Sequence, residues 1–181
     1  AWNPMQCPPG GTGSTQKKYI DIKVGEKYYI IANKDRRVFC TSTSKNWAWA
    51  VVKNLEDVAY EILEPVRAKF DKPLIITSGY RSEELCEAIG SKKTSQHAKG
   101  QAVDFEIPGI PNIQIAYWLQ NNVDFDQLIL EFYDPDNPSG GWVHVSYNEK
   151  GSNRKQVLTY DGKKYSNDLP EMEWKDGKVK L

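Results

Sequence analysis

The sequence has few cysteines, few histidines, no excess charge and no long apolar run. Lysine plus arginine and aspartate plus glutamate number 24 each, so the formal net charge is zero. This balance argues against bulk electrostatic binding to nucleic acid or to an anionic membrane. No apolar run approaches the roughly 18 residues that a transmembrane helix requires. We therefore expect no nucleic-acid partner and no membrane span.

The three cysteines, Cys7, Cys40 and Cys86, are too few for a disulfide framework. Cys7 and Cys40 could pair, but nothing in the sequence requires it. A chain of 181 residues can bury a core without disulfides, and its length predicts one domain with appendages.

Aromatic residues are frequent, with six tryptophans and ten tyrosines. Packing within or around the core is the favoured interpretation for any one of them. The alternative is a face that contacts sugars or peptides.

The N-terminal part of the chain differs in composition from the rest. Residues 1–17 are rich in proline, glycine, serine and threonine, and we expect a flexible arm there. Residues 18–50 contain three short strand-like runs separated by turn residues, which predicts a β-rich appendage. Residues 1–50 could dock to a larger assembly.

The remaining chain predicts a mixture of helices and strands. The clearest helix spans residues 54–70, with Asn54 as its N-cap and a kink at Pro65. Ser82 is expected to cap a short helix that Gly90 ends. A further helix is expected at 112–121, with strands at 74–77, 102–105, 125–133, 142–147 and 156–160. Without regular alternation of helices and strands, the α+β class is favoured.

Two histidines and one carboxylate are candidate metal ligands. His97 and His144 are the two histidines of the chain, and Asp104 interrupts an apolar strand. A carboxylate in such a strand needs a partner, which could be a metal or a hydrogen-bonding loop. Two histidines and a carboxylate can hold a catalytic zinc ion and leave its fourth position open for water. We therefore predict a zinc hydrolase.

Glu131 and Arg81 are candidate catalytic residues. If strands 125–133 and 142–147 form a hairpin, Glu131 lies roughly opposite His144, where a general base should be. Arg81 follows a buried strand at a glycine turn. It could bind a substrate carboxylate or carbonyl oxygen, or it could pair with Glu83 or Glu84.

Three motifs together resemble those of the M15 zinc peptidases of the D-alanyl-D-alanine carboxypeptidase type. They are SGYRSEEL, SQHAKGQAVDFE and WVHVSY, and the resemblance covers about residues 54–160. This group includes cell-wall carboxypeptidases, D,D-dipeptidases and phage L-alanyl-D-glutamate endolysins.

The resemblance implies a small antiparallel sheet that carries the zinc site, with flanking helices. It implies zinc bound by His97, Asp104 and His144. It also implies that Arg81 steadies the substrate, helped by Ser95 or Gln96. The implied substrate is a peptidoglycan stem peptide that contains D-amino acids. The domain is expected at 51–165, with a C-terminal tail at 166–181.

The sequence departs from this group at two positions. Many members carry the catalytic acid three residues before the last zinc histidine, where this chain has Gly141. The nearest match is then Glu131. The carboxypeptidase branch often has a histidine where this chain has Trp142, which could wall the substrate pocket but cannot carry a proton. These departures leave an alternative: a virion or cell-surface module that contains zinc but has little or no activity.

The expected place of action is the bacterial cell wall. No signal peptide is visible, which favours a phage-borne protein, either a lysis enzyme or a virion component. Because the chain begins at Ala1, a removed leader and export stay open.

Overall fold

The computed structural model describes residues 20–24, 27–31, 45–137, 139–149, 151, 153–171, 173–175 and 178–180. The helices in chain order are α1 (Lys45–Val58), α2 (Glu64–Phe70), α3 (Glu83–Ala88) and α4 (Asn112–Asn122). The strands are β1 (Ile20–Val24), β2 (Lys27–Ile31), β3 (Ile75–Ser78), β4 (Ala102–Glu106), β5 (Gln127–Glu131), β6 (Trp142–Ser146), β7 (Gln156–Tyr160), β8 (Tyr165–Asn167), β9 (Glu173–Lys175) and β10 (Lys178–Lys180).

Six strands form one mixed sheet in the order β3-β4-β6-β5-β7-β8. The α+β class is confirmed, but the prediction of an antiparallel sheet is wrong for one pair, because β5 and β7 run parallel. The antiparallel strand β6 ends beside the start of β5. The connection at 147–155 therefore brings the chain to the other edge of β5 at that same end, and β7 continues in the direction of β5.

The sheet separates the hydrophobic core from the candidate site. Side chains alternate between the two faces of a strand, and one face of β4, β5 and β6 packs into the core with helices α1, α2 and α4. The core residues of these strands are fully or almost fully buried: Val103, Phe105, Leu128, Leu130, Val143 and Val145. Asp104, Glu131 and His144 lie on the opposite face.

The first helix of the domain begins nine residues earlier than predicted. Helix α1 starts at Lys45, so Asn54 lies inside it and is not its N-cap. The apolar residues before Asn54, including the buried Val51, continue the helical pattern, and no proline or glycine interrupts them. The Asn54 side chain instead donates from Nδ2 to the carbonyl oxygen of Lys99 over 2.7 Å.

Pro65 is accommodated by a π-helical turn at Ala59–Leu63. The backbone N–H of Glu64 donates to the carbonyl of Ala59, five residues back. Pro65 follows directly, as the second residue of α2. The irregularity that was predicted as a kink at Pro65 is therefore a change of hydrogen-bonding pattern just before the proline.

The two ends of the chain are described only in part. Strands β1 and β2 pair as an antiparallel hairpin. The arm at 1–17, the third strand-like run and the cysteines Cys7 and Cys40 lie outside the described residues. The domain boundaries stay a prediction, although Leu169 is buried in the core, beyond the predicted start of the tail. Among the described residues, no helix is both long and apolar enough to cross a membrane.

Candidate metal centre

Two adjacent strands and the turn before one of them bring together His97, Asp104 and His144. Asp104 in β4 is the register partner of His144 in β6. His97 lies in the short 3₁₀ turn Gln96–Lys99 that precedes β4. One ligand atom from each of the three residues lies within 4.8 Å of the other two, and all three residues are buried. Within the described residues, no other group of this kind is found.

The hydrogen bonds of His97 indicate which ring nitrogen carries its proton. Nδ1 lies 2.7 Å from the carbonyl oxygen of Gly79, which can only accept, so Nδ1 donates. Burial lowers the pKa of His97, although the neighbouring Asp104 acts in the opposite direction. The ring is therefore neutral near pH 7, and the lone pair of Nε2 points toward Asp104 and His144. A backbone carbonyl that orients a histidine in this way is a common feature of metal sites.

Asp104 is held in its ionised form. Burial acts to raise its pKa, but the hydrogen bond with His144 and the proximity of His97 hold the pKa well below its usual range. Its Oδ1 lies 2.8 Å from Nδ1 of His144 and 3.2 Å from Nε2 of His97. Its Oδ2 pairs with the guanidinium of Arg81. Oδ1 of Asp104 therefore faces the two histidines, while Oδ2 is bound by Arg81, which is not one of the three candidate ligands.

The arrangement fits a zinc ion by its donor set and its spacing. Nε2 of His97 and Oδ1 of Asp104 are two proton-free acceptors 3.2 Å apart, an arrangement that a cation between them relieves. Nε2 of His97 is also 3.2 Å from Nδ1 of His144. Ligand atoms about 2.0–2.2 Å from a tetrahedral zinc ion are about 3.3–3.6 Å apart. The trio therefore requires only small outward shifts to hold zinc.

The turn that carries His97 is fixed against α1 and by Ser95. The Ser95 hydroxyl accepts from the backbone N–H of His97 over 3.3 Å. Gly100 ends the turn with a φ of +71°, and a Cβ there would lie 2.7 Å from the carbonyl oxygen of Val51. Only glycine permits this close approach and this backbone conformation without strain. Helix α1 thus helps to set the position of His97.

Gln96 lies in a polar cluster beside the trio that sequence reasoning missed. Its Nε2 donates to Oδ2 of Asp126 over 2.9 Å. Asp126 is buried and also accepts hydrogen bonds from two side-chain nitrogens of Arg154, Nε and Nη2. These residues are far apart in sequence, and no local pattern signals their contact. The predicted substrate-binding roles of Gln96 and Ser95 stay predictions.

Arg81 contacts the trio rather than the nearby glutamates. Its Nε donates to the Ser78 hydroxyl over 2.7 Å, and its Nη2 pairs with Oδ2 of Asp104. Its backbone N–H donates to the carbonyl of His97 over 3.2 Å. The alternatives that the sequence left open, Glu83 and Glu84, are not the partners that the structure shows. Arg81 therefore links the end of β3 to two candidate ligands.

Glu131 lies on the same face as His144, but the predicted register is wrong by two residues. Glu131 pairs with Trp142, whereas His144 pairs with Ile129. The ladder ends there because Phe132, next along β5, has a left-handed φ of +52°. The expected continuation of the strand to residue 133 therefore does not form. Glu131 is diagonal to His144 rather than directly opposite it.

The environment of Glu131 suits a proton acceptor. Burial raises the pKa of its carboxyl, and the charge of Asp104 raises it further, while His144 and Arg81 lower it. These influences show that Glu131 lies within electrostatic range of the trio. A carboxylate with a raised pKa near a metal centre is a candidate general base.

The turn before β6 positions Trp142. Gly141 has a φ of +69°, and a Cβ there would lie 1.9 Å from the carbonyl oxygen of Glu131. Asn112, buried at the start of α4, donates from Nδ2 to the carbonyls of Gly140 and Gly141, both over 3.1 Å. Sequence reasoning missed this role of Asn112. The glycine that replaces the expected catalytic acid thus has a structural function of its own.

A family model described as Peptidase M15 matches residues 37–146, more than half of the chain. The chain belongs to the Peptidase M15 family. M15 peptidases are generally zinc-dependent, and the matched range includes His97, Asp104 and His144. A search of curated proteins found no match to this M15 chain.

Proposed function

We propose that this M15 protein is a zinc-dependent peptidase that hydrolyses peptidoglycan stem peptides containing D-amino acids. The observation that carries the proposal is the buried His97, Asp104 and His144 trio with Glu131 on the same face of the sheet. The substrate follows from the resemblance of its motifs to cell-wall peptidases. The proposed place of action is the bacterial cell wall, reached by a phage-borne or an exported protein.

His97, Asp104 and His144 are the proposed zinc ligands, through Nε2, Oδ1 and Nδ1 respectively. Zinc bound there supplies Lewis acidity, which makes water more acidic and polarises a substrate carbonyl. The ionised state of Asp104 and the neutral state of His97 are those that a metal requires of its ligands.

Glu131 is the proposed general base. Its carboxylate accepts a proton from the water that attacks the peptide carbonyl, and it returns this proton to the leaving amine. General acid–base catalysis of this kind contributes about 10²–10⁴-fold to rate. The pKa of Glu131, raised by burial, brings its basicity closer to neutral pH than that of an exposed glutamate.

Arg81 is the proposed group that steadies the substrate. Its Nε and Nη2 are engaged by Ser78 and Asp104, which leaves the Nη1 donors for a substrate oxygen. The same contacts hold Asp104 in place, so Arg81 both orients a ligand and faces the substrate. Trp142 is proposed to wall the pocket beside Glu131, with Ser95 and Gln96 as further substrate contacts.

The test combines zinc content with release of amino groups from purified peptidoglycan. Wild type is expected to contain one zinc per chain and to release amines. The variant Glu131→Gln should keep the zinc and lose about 10²–10⁴-fold in rate, whereas His144→Ala should lose the zinc. The variant Asp124→Asn, at an exposed acid paired with Lys155, serves as a control that keeps both.

Three outcomes would contradict parts of the proposal. Wild type without zinc, never exposed to a chelator, would refute the metal site. Full activity in Glu131→Gln would remove Glu131 as the base. Zinc without amine release in wild type would indicate the alternative function, a zinc-containing virion or cell-surface module without catalysis.

A further inference from the structure

Four aromatic side chains form a continuous strip that begins beside Glu131. We call Phe132, Trp142, Tyr160 and Tyr165 the aromatic ledge. Trp142 and Tyr160 are the register partners of Glu131 on its two sides, in β6 and β7. Tyr165 in β8 is in turn the partner of Tyr160. Residues in direct register share a face of the sheet, so these side chains lie on the face of the metal centre.

The rings of the aromatic ledge contact one another in sequence across the sheet. The ring of Phe132 lies 5.0 Å from that of Trp142 and 5.1 Å from that of Tyr160. The rings of Tyr160 and Tyr165 are stacked at 4.6 Å. Phe132 is 46% exposed and Tyr165 is 57% exposed. Contiguous exposed apolar surface of this kind marks interaction sites, whereas single exposed residues do not.

The backbone at Phe132 holds its ring in the ledge. The next residue after Glu131 in a regular strand would point to the opposite face. Phe132 instead has a φ of +52°, which is unfavourable for a non-glycine residue, and its ring lies between Trp142 and Tyr160. An exposed phenylalanine in a strained conformation stabilises no core. Strain of this type is found at ligand-binding sites.

The aromatic ledge is continuous with the candidate catalytic site. Trp142, Glu131, Tyr160 and Tyr165 form one unbroken row of register partners across β6, β5, β7 and β8, so the ledge starts directly at the proposed base. These rings are therefore within reach of a substrate that is held at Glu131 and is longer than the peptide segment at the trio.

We propose that the aromatic ledge binds a sugar ring of the peptidoglycan glycan chain next to the peptide that is cleaved. This inference rests on the proposed function, because the occupant is chosen as the neighbouring part of the same substrate. It adds a glycan subsite to the peptide site and assigns Phe132, Tyr160 and Tyr165 to substrate recognition.

The chemistry of the ledge favours a sugar over the stem peptide. Stem peptides carry mostly methyl groups and charged side chains, which make little use of four adjoining rings. A pyranose ring has a flat face of C–H bonds that matches an aromatic ring in size, and its hydroxyl groups can bond the phenol groups of Tyr160 and Tyr165.

The experiment measures binding of a β-1,4-linked N-acetylglucosamine oligomer by isothermal titration calorimetry. This probe shares the backbone of the peptidoglycan glycan but contains no stem peptide. Wild type should bind it saturably, and Tyr165→Ala should weaken binding about 2- to 12-fold, as expected for loss of one stacked aromatic contact. Phe132→Leu, which keeps an apolar side chain but removes the flat ring, should weaken it similarly.

Tyr60→Ala is the matched control. Tyr60 is 65% exposed and lies in the π-helical turn, away from the ledge, so its removal should leave glycan affinity unchanged. The thermal midpoint of each variant shows that it is folded. Tyr165→Phe, which keeps the ring, should retain more affinity than Tyr165→Ala.

Three results would overturn the inference. The first is no saturable binding by wild type, and the second is equal affinity in wild type, Tyr165→Ala and Phe132→Leu. The third is self-association of wild type that Tyr165→Ala abolishes, which would assign the ledge to a second copy of the chain. Because the probe is not cleaved, glycan binding can succeed where peptidase activity fails. Peptidase activity without glycan binding would refute the glycan subsite and leave the proposed peptidase function in place.

Discussion

Nε2 of His97 lies 3.2 Å from Oδ1 of Asp104, and neither atom carries a proton when the histidine is neutral and the aspartate ionised. Two acceptors at this distance repel each other. The carbonyl of Gly79 fixes the proton of His97 on Nδ1, and the surroundings of Asp104 keep its pKa low. A cation bound between these two atoms would remove the repulsion and balance the charge of Asp104.

Zinc is expected to stabilise the folded protein. Binding to the native state alone adds about 4 kcal/mol to the free energy of unfolding when free zinc exceeds its dissociation constant about 1,000-fold. Calorimetric unfolding with and without a chelator measures this difference. The zinc-dependent part should vanish in His144→Ala and persist in Asp124→Asn. An unchanged midpoint on zinc removal would contradict the prediction.

Arg81→Ala is expected to weaken both stability and zinc affinity. It leaves Oδ2 of the buried Asp104 without its guanidinium partner, and removal of one partner of a buried ion pair costs about 3–5 kcal/mol. Zinc affinity should fall about 10- to 100-fold, as for other residues that orient a ligand. Urea unfolding and a competitive zinc titration give the two values.

The control for Arg81 is Arg67→Ala, whose partner Glu64 keeps 24% of its side-chain surface exposed, compared with 3% for Asp104. Arg67→Ala should lower the free energy of unfolding by no more than about 1 kcal/mol. Equal losses in the two variants would show that Arg81 has no special role at Asp104.

Glu131→Gln is expected to stabilise the metal-free protein at neutral pH. Burial raises the pKa of Glu131 in the folded state, so the folded state binds its proton more tightly than the unfolded state does. The contribution of Glu131 to stability therefore falls as pH rises from the unfolded-state pKa through the raised folded-state value. Glutamine carries no charge and removes this loss.

The measurement for Glu131 is the free energy of unfolding of chelated wild type and Glu131→Gln at pH 4 and pH 7. The advantage of the variant should be larger at pH 7. A larger advantage at pH 4, or none at either pH, would show that burial does not penalise the ionised form.

Gly141→Ala is expected to disrupt the approach of β6 to β5. The added Cβ would collide with the carbonyl of Glu131 and would occupy a left-handed backbone position, at a cost of about 2–5 kcal/mol. Gly90→Ala is the matched control, because Gly90 has a similar φ of +78° and no neighbouring atom within 4 Å of where a Cβ would lie. It should cost only about 1–2 kcal/mol.

The difference in thermal stability between the two glycine variants measures the effect of the collision, because both variants carry the backbone strain and only Gly141→Ala carries the collision. Comparable destabilisation in both would mean that the turn at Gly141 yields easily. Peptidase activity should fall in Gly141→Ala and not in Gly90→Ala, because only the first displaces Glu131 and Trp142.

Local patterns in the sequence were sufficient for the candidate ligands and several element boundaries. The two histidines and the aspartate within an apolar strand were recognisable from residue type and position alone. The cap at Ser82 was predictable because its side chain bonds an N–H three residues away, that of Leu85. These features depend on short-range spacing and on the chemistry of single side chains.

Other features depend on contacts between segments that are distant in the sequence, and local patterns do not predict them. The register that places Glu131 opposite Trp142 follows from the left-handed conformations of Phe132 and Gly141, which an alternating pattern does not encode. The partner of Arg81 lies 23 residues away, and that of Gln96 lies 30 residues away. Many pairings are compatible with one sequence, and only packing of the whole chain selects among them.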